Sequence, residues 1–310
     1  MVENINVGLA LGGGAARGFA HIGVFEVFEE EGIPVDIIAG TSIGAVMGGM
    51  YAAEPDAAAL KERVTGFVRS EIFEKIKADF LKHKDKEGED GLLDRVSSFI
   101  RKSIFYTLSM TKKAFVSEDT MKQVVEELIP DIMIGDTQIR FAATAADIKS
   151  GEKHVFTQGS IRTAVEASCA LPGVMVPVEF GDMILVDGGW IEAVPVQTAF
   201  DMGADMVIGV NISPDIRLDR EPTRAIDILL RADRISRKAL AQSSYAGADI
   251  VISPEVRDID WMEFDDPEEK ILKGREAAEH SIAEIRRCIA DKADMGLWQR
   301  LLRSIKRSFR

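Results

Sequence analysis

Short apolar runs alternate with longer segments of helical periodicity through most of the 310-residue chain. The first two runs are INVGLAL at 5–11 and VDIIA at 35–39, and each precedes a segment of helical pattern. Two strand–helix units in succession are typical of a parallel sheet covered by helices. The pattern therefore predicts an α/β domain with a central, mainly parallel sheet.

The rest of the chain continues this alternation. Two neighbouring apolar segments flank a Ser-Gly turn and predict a hairpin, whereas the proline-containing run SCALPGVMVPVEF excludes a regular helix. Further strands are predicted at 140–147, 153–158, 183–189, 205–212 and 249–254, and helices at 160–168, 222–246 and 267–291. We expect one domain over residues 1–295, with a helical insertion at about 57–130 and a separate amphipathic C-terminal helix at 296–310.

Composition is that of an ordinary globular protein, with 46% hydrophobic and 29% charged residues. We find no run of the ~18–20 apolar residues that a membrane-spanning helix needs. The first residues lack the basic and apolar regions of a secretory signal, and the chain has two cysteines. These features predict a cytoplasmic protein, with peripheral contact at the inner membrane surface as a further option.

Charge is unevenly distributed. The net charge of −13 argues against nucleic acid as the main partner, yet residues 296–310 carry +5 and leave −18 for residues 1–295. Apolar residues recur at helical spacing in this basic segment, at Trp298, Leu301, Leu302, Ile305 and Phe309. Such a helix is typical of an anionic membrane interface, and equally of a terminal helix that packs on protein. Both interpretations stay open.

The first candidate chemical group is the serine of GTSIG at 40–44. Ser42 stands between Gly40 and Gly44, where a predicted strand gives way to a predicted helix. In a sharp turn of this kind the hydroxyl is lifted beside the helix N-terminus, and the glycines leave room for an incoming carbonyl. This context favours a nucleophile over a serine that only caps the helix.

A second glycine-rich turn, GGGAARG at 12–18, follows the first strand. A dinucleotide-binding fingerprint fails here because Arg17 occupies its third glycine position, and because the second strand does not end in an acid. The N–H groups of Gly12, Gly13 and Gly14 instead suit an oxyanion or a phosphate. Arg17 either holds an anion or ties the loops together, and the sequence does not decide between these roles.

The candidate general base is Asp187, in the DGG turn at 187–189 after another predicted strand. An Asp-Gly pair is also a common turn, but a nearby nucleophile needs a base. The histidines are less suitable, because they lie inside helices or away from the glycine-rich turns: His21, His83, His154 and His280. The pattern therefore favours a two-residue Ser42–Asp187 device without histidine.

Four blocks occur in order over roughly residues 5–215: GGGAARGFAHIG, GTSIG, ASCALPGVMVPV and DGG. Together they resemble the patatin-like phospholipase family, and within it the bacterial branch related to neuropathy target esterase. The resemblance implies a three-layer αβα sandwich. It also implies a cofactor-free hydrolase that cleaves carboxylic esters of (lyso)phospholipids or related acyl lipids through an acyl-enzyme.

Residue by residue, the resemblance implies Ser42 as the nucleophile and Asp187 as the base. It places Arg17 at the basic position of the family, and the oxyanion hole at Gly12, Gly13 and Gly14. One departure follows DGG: many relatives have asparagine there, and often proline, whereas this chain has Trp190, Ile191, Glu192 and Ala193. We expect this difference to alter the shape of the substrate entrance.

Two other functions remain open at this stage. An acyltransferase would use the same acyl-enzyme, although related acyltransferases have histidine before the nucleophile where this chain has Thr41. A non-catalytic scaffold would keep the fold and bind a lipid or an anion. We see no metal-binding cluster and expect no metal requirement, and the sequence does not indicate the preferred ester or the oligomeric state.

Overall fold

A computed structural model of the protein describes residues 5–74, 116–215 and 225–308, with only the backbone for residues 226, 230 and 295–308. Most of the predicted helical insertion and the side chains of the basic C-terminal segment therefore lie outside the described residues. No helix in the described ranges is long and apolar enough to cross a membrane.

Strands and helices alternate much as the apolar pattern predicts. The strands are β1 (Val7–Leu11), β2 (Ile37–Thr41), β3 (Arg140–Asp147), β4 (Lys153–Phe156), β5 (Val178–Phe180), β6 (Met183–Asp187), β7 (Met206–Val210) and β8 (Ile250–Ile252). The helices are α1 (Phe19–Glu30), α2 (Ile43–Ala53), α3 (Ala57–Val68), α4 (Glu118–Leu128), α5 (Ile161–Cys169), α6 (Val196–Asp201), α7 (Ala225–Tyr245) and α8 (Pro267–Ser308). Short 3₁₀ helices form at Ala15–Gly18, Ile134–Asp136 and Gly188–Trp190.

All of these strands belong to one mixed sheet. β1 lies at its centre and pairs in parallel with β2 and β7, which pair in parallel with β3 and β8. β4 and β6 pair antiparallel with β3, and β5 pairs antiparallel with β6. The predicted α/β fold with a mainly parallel central sheet is confirmed, and helices on both faces complete the three-layer sandwich.

The sheet separates a large core from a small one. Leu9 and Leu11 of β1 join the large core with α1, α2, α5 and α8, whereas Ala10 faces the small core beneath α6. Small side chains on this second face let α6 lie close to the strands. This alternation along β1 follows from the two-residue period of a strand.

Three features differ from the sequence expectations. β5 forms within the proline-containing segment, where no strand was predicted. β6 runs antiparallel to β3, so this part of the sheet departs from the mainly parallel arrangement that the pattern predicts. Finally, α8 continues without a break from Pro267 to Ser308, so the segment 296–308 extends this helix rather than forming a separate one.

Glycines allow α1 and α8 to touch backbone to backbone. A Cβ atom on Gly23 would lie 2.0 Å from the carbonyl oxygen of Ile271, and one on Gly274 would lie 2.0 Å from that of Ala20. Backbone atoms have little freedom to move aside, so a side chain at either position forces the helices apart. Because α1 follows the glycine-rich turn directly, this contact also supports the loop at 12–18.

We predict that Gly23→Ala destabilises the protein by about 1–3 kcal/mol, because the added methyl group overpacks the α1–α8 contact. Gly66→Ala is the matched control. Gly66 lies inside α3 with open space around the added Cβ, so alanine there is expected to stabilise by up to about 1 kcal/mol. Urea unfolding measures both effects, and equal stability of the two variants would contradict the packing argument.

Candidate active site

Ser42 lies between β2 and α2 in a backbone conformation that is rare for a residue with a side chain. Its φ is 56° and its ψ is −124°. Such a conformation costs about 1–3 kcal/mol and persists only where the surrounding structure holds it. The predicted strand–turn–helix around this serine is therefore present, with the strain that a nucleophile elbow requires.

The two flanking glycines are required by close packing of the backbone. A Cβ on Gly44 would lie 2.1 Å from the carbonyl oxygen of Leu11, and a Cβ on Gly40 would lie 2.5 Å from that of Gly44. Gly13 of the neighbouring loop is also near, since its Cβ would lie 3.2 Å from the Cβ of Ser42. Glycines thus bring the loop after β1 against the elbow and keep the space beside Ser42 clear.

Buried hydrogen bonds hold the elbow from below. The backbone N–H of Ser42 donates to the hydroxyl of Ser168 on α5 at 2.9 Å. The Thr41 hydroxyl donates to the carbonyl oxygen of Glu192 at 2.8 Å and lies 2.7 Å from the Thr144 hydroxyl. These side chains are buried and supply the outside support that a strained turn needs.

Glu192 belongs to a second buried network behind Thr41. Its carboxylate accepts from the Lys153 ammonium at 2.7 Å and from the Thr198 hydroxyl at 2.6 Å. It also accepts from the backbone N–H of Thr198, near the start of α6. The departure from the family pattern at this position therefore introduces an ion pair between the buried Glu192 and the partly exposed Lys153, which ties α6 to the hairpin strand β4.

The registers around β3 explain why Asp187 reaches the elbow. β4 occupies one edge of β3 along residues 143–146, so β2 and β6 share the opposite edge. β2 ends with Thr41 beside Thr144, and β6 arrives from the other direction and ends with Asp187 beside Ala145. The two strands meet end to end, which places Asp187 next to the serine that follows Thr41.

The direction of β6 is what brings Asp187 to the elbow. The sequence placed Asp187 in the turn after a predicted strand and left the direction of that strand open. β6 is antiparallel, and its carboxyl end reaches the site because the strand enters from beyond the end of β2.

Asp187 is buried, with 3% of its surface exposed. Burial raises the pKa of its carboxyl to about 6, whereas hydrogen bonds from the Ser42 side chain and the Gly189 N–H and the charge of Arg237 act in the opposite direction. The Gly189 N–H donates to Asp187 Oδ1 at 2.7 Å. A carboxylate whose pKa is raised in this way accepts a proton more readily than a solvated aspartate, whose pKa is about 3.9.

The predicted oxyanion hole needs correction. The N–H groups of Gly12 and Gly13 donate to the carbonyl oxygens of Val210 and Ala193, at 3.0 and 3.1 Å. Both are therefore occupied by backbone acceptors. Of the three predicted donors, Gly14 alone has an N–H without a hydrogen-bond acceptor among the described residues.

A second donor comes from the start of α2. The first N–H groups of a helix lack partners within it, and the residue after an elbow nucleophile commonly points its N–H at the reacting carbonyl. Here that residue is Ile43. Gly14 and Ile43 are thus the candidate N–H donors at this turn, and the sequence patterns did not indicate Ile43.

His21 supports the glycine-rich loop from inside the core. Its Nε2 lies 2.9 Å from the carbonyl oxygen of Gly12, and burial lowers its pKa to about 4. At neutral pH the ring is uncharged, and Nε2 must carry the hydrogen because the carbonyl only accepts. The histidine therefore orients the peptide between Gly12 and Gly13.

Arg17 is buried beneath the same loop. Its Nη1 donates to the carbonyl oxygen of Ile259 at 3.1 Å. Burial lowers its pKa to about 10, with Asp260 raising it and Arg237 lowering it. This bond supports the role in which Arg17 ties the loops together. The Nε atom of Arg17 is buried and has no hydrogen-bond partner among the described residues.

Comparison with known proteins identifies the family. Residues 9–200 match the family described as "Patatin-like phospholipase", and the chain belongs to it. It is 29% identical over 230 residues to lysophospholipase NTE1 of Debaryomyces hansenii, and 31% identical over 209 residues to a patatin-like phospholipase domain-containing protein of Caenorhabditis elegans. The alignments cover 74% and 66% of this chain and 13% of each relative, so the chain spans a small part of their length.

The fold comparison agrees with this assignment. The structure of VipD from Legionella pneumophila superimposes with a TM-score of 0.51 and 14% sequence identity, over 91% of this chain and 67% of VipD. At this identity the likeness concerns the fold alone. The matching family is described as patatin-like phospholipase, and the two relatives carry the names lysophospholipase and patatin-like phospholipase domain-containing protein.

Proposed function

We propose that this protein is a serine lipid acyl hydrolase that cleaves carboxylic esters of (lyso)phospholipids or related acyl lipids. Ser42 is the nucleophile and Asp187 the general base of a two-residue device. The observation that carries the proposal is the strand pairing that brings the buried Asp187 to the strained turn at Ser42, and burial raises the pKa of this carboxyl to about 6. Family membership supports the substrate class.

The reaction proceeds in two steps through an acyl-enzyme. Asp187 takes the proton of the Ser42 hydroxyl as Oγ attacks the ester carbonyl, and the N–H groups of Gly14 and Ile43 stabilise the oxyanion. The protonated Asp187 then donates to the departing alcohol oxygen, which leaves the acyl group on Ser42. In the second step Asp187 deprotonates a water molecule, and collapse of the new intermediate returns the proton to Ser42 and releases the fatty acid.

We predict that a fluorophosphonate probe labels Ser42 in the wild-type protein and not in Ser42→Ala. Asp187→Asn should label far more slowly, because amide nitrogen and oxygen replace the basic carboxylate. Both substitutions should lower the rate of lysophospholipid hydrolysis by ~10³-fold or more. Mass spectrometry of the labelled peptide and fatty-acid release measure the two effects. Ser236→Ala, at an exposed serine on α7, is the control.

Full hydrolysis by folded Ser42→Ala or Asp187→Asn would contradict the proposed dyad. Labelling of another serine, with Ser42 unmodified, would do the same. Thermal unfolding of each variant separates loss of chemistry from loss of structure.

The raised pKa of Asp187 predicts a distinct pH profile. The group must be ionised to act as a base, so kcat/KM should be constant above about pH 7 and fall as the pH drops through about 6. A solvated aspartate would move this decline to about pH 4. Initial rates with a soluble ester from pH 4.5 to 8.5 test the prediction, and full activity at pH 4.5 would contradict it.

We also propose that the protein contacts anionic membranes peripherally through residues 296–310. The support is the sequence pattern of five basic residues and helically spaced apolar residues at the end of the chain. A protein ending at Met295 should float less well with phosphatidylserine-containing vesicles than the whole chain does. Neutral phosphatidylcholine vesicles are the control, and equal flotation of both proteins with the anionic vesicles would contradict the proposal.

A further inference from the structure

A second arginine lies beside the candidate active site, on the face of the sheet where α7 packs. The guanidinium of Arg237 stands 4.8 Å from the ring centre of Trp190. Trp190 is three residues after Asp187 and ends the 3₁₀ helix Gly188–Trp190. A guanidinium over an aromatic face is held by a cation–π interaction, so the tryptophan fixes the direction of an otherwise flexible side chain.

The charge of Arg237 acts on the residues around it. It lowers the pKa of Asp187 and also that of Arg17, so it stands within electrostatic reach of both the candidate base and the other arginine. Two cations near each other repel unless anions balance them. The carboxyls of Asp260 and Asp187 lie in the same region, and Arg237 places one positive charge beside the group that is proposed to react.

Among the described residues, the acidic partner of Arg237 holds its guanidinium only weakly. The Nε of Arg237 lies 3.4 Å from an Asp233 carboxylate oxygen, yet it makes no hydrogen bond among the described residues. Both members of this pair are more than 40% exposed, and an ion pair so open to water contributes little. The Nε of Arg17 is likewise buried and has no partner there. Both Nε atoms are buried, so the exposed part of the Arg237 guanidinium is the part that a ligand can reach.

We propose that Arg237, oriented by Trp190, binds the phosphate group of a phospholipid or lysophospholipid while the acyl ester lies at Ser42. This inference rests on the proposed function and names the part of the substrate that determines specificity. The planar guanidinium matches two phosphate oxygens. In the substrate, one glycerol unit separates the ester from the phosphate. A side chain that binds the phosphate must therefore lie near Asp187 without contacting it.

The proposal also assigns a role to the departure from the family pattern after DGG. Trp190 supplies a broad aromatic face on which α7 places Arg237. Arg17, buried under the glycine-rich loop, adds to the positive potential without leaving its bond to the Ile259 carbonyl. Arg237 is then a specificity-determining residue that discriminates between phosphate-containing esters and neutral ones.

The test compares 1-oleoyl-lysophosphatidylcholine with 1-oleoylglycerol, which share the acyl ester and differ in the phosphate. Both are presented at equal mole fraction in micelles of a non-ionic detergent at pH 8, where Asp187 is ionised with or without Arg237. In Arg237→Gln the ratio of the two kcat/KM values, phospholipid over neutral ester, should fall about 10- to 100-fold, mainly through KM. Arg234→Gln, which removes an exposed charge from the same helix, should leave the ratio at the wild-type value.

An unchanged ratio in Arg237→Gln would overturn the inference, and so would an equal fall of the ratio in Arg234→Gln. The first result would exclude phosphate binding by Arg237. The second would attribute the change in the ratio to the overall charge of α7.

Binding of uncleavable analogues tests the inference separately from catalysis. Calorimetry compares 1-O-octyl-glycerophosphocholine with 1-O-octylglycerol, both below their micelle concentrations. The wild-type protein should bind the phosphate analogue at least tenfold more tightly, and Arg237→Gln should remove the difference. Equal affinities in the wild type would overturn the inference, even for a protein without hydrolase activity.

Inorganic phosphate distinguishes a lipid headgroup from a free anion. It should bind far more weakly than the octyl analogue, because it lacks the glycerol and alkyl contacts. Equal affinity for inorganic phosphate, lost in Arg237→Gln, would overturn the lipid assignment and identify a site for free phosphate.

Discussion

Hydrogen bonds between β6 and the last residues of β3 determine where Asp187 stands. β2 ends on the same edge of β3, one residue away, so the two strands approach each other head to head. The chain must then turn sharply out of each strand, at Ser42 and at Gly188. The strained backbone at Ser42 and the buried carboxylate of Asp187 thus arise from one geometric requirement, the meeting of the two strand ends.

Burial around this junction sets the chemistry of the site. It raises the pKa of Asp187, and it keeps the His21 ring neutral, with its one N–H, on Nε2, donating to the Gly12 carbonyl. Polar groups taken from water must find partners in the protein, and Ser168 and Glu192 supply them under the elbow. Arg237 is partly exposed, so water screens its charge, yet this charge still lowers the pKa of the buried Asp187.

Most of the elements, and the turns that hold Ser42 and Asp187, could be predicted from the sequence for identifiable reasons. GTSIG joins a strand, a turn and a helix within a few residues, so adjacent residues determine its local geometry. The DGG turn could be predicted because its signal, an Asp-Gly pair directly after an apolar run, also lies in adjacent residues. Arg237 and Ser168 carried no such signal: each stands alone on a helix, far in sequence from the residues it serves. Their roles depend on how distant helices pack, which periodicity does not reveal.

The sequence by itself determined the strand–helix alternation, the glycines that permit close backbone approach, and the residue types able to react. These depend on local sterics and on the period of apolar positions, which neighbouring residues control. Tertiary structure alone decided that β6 runs antiparallel, that the N–H groups of Gly12 and Gly13 donate to backbone carbonyls, and that Arg237 lies over Trp190. Each of these depends on pairing between segments far apart in the chain, and such pairing follows from the global packing of the sheet and helices.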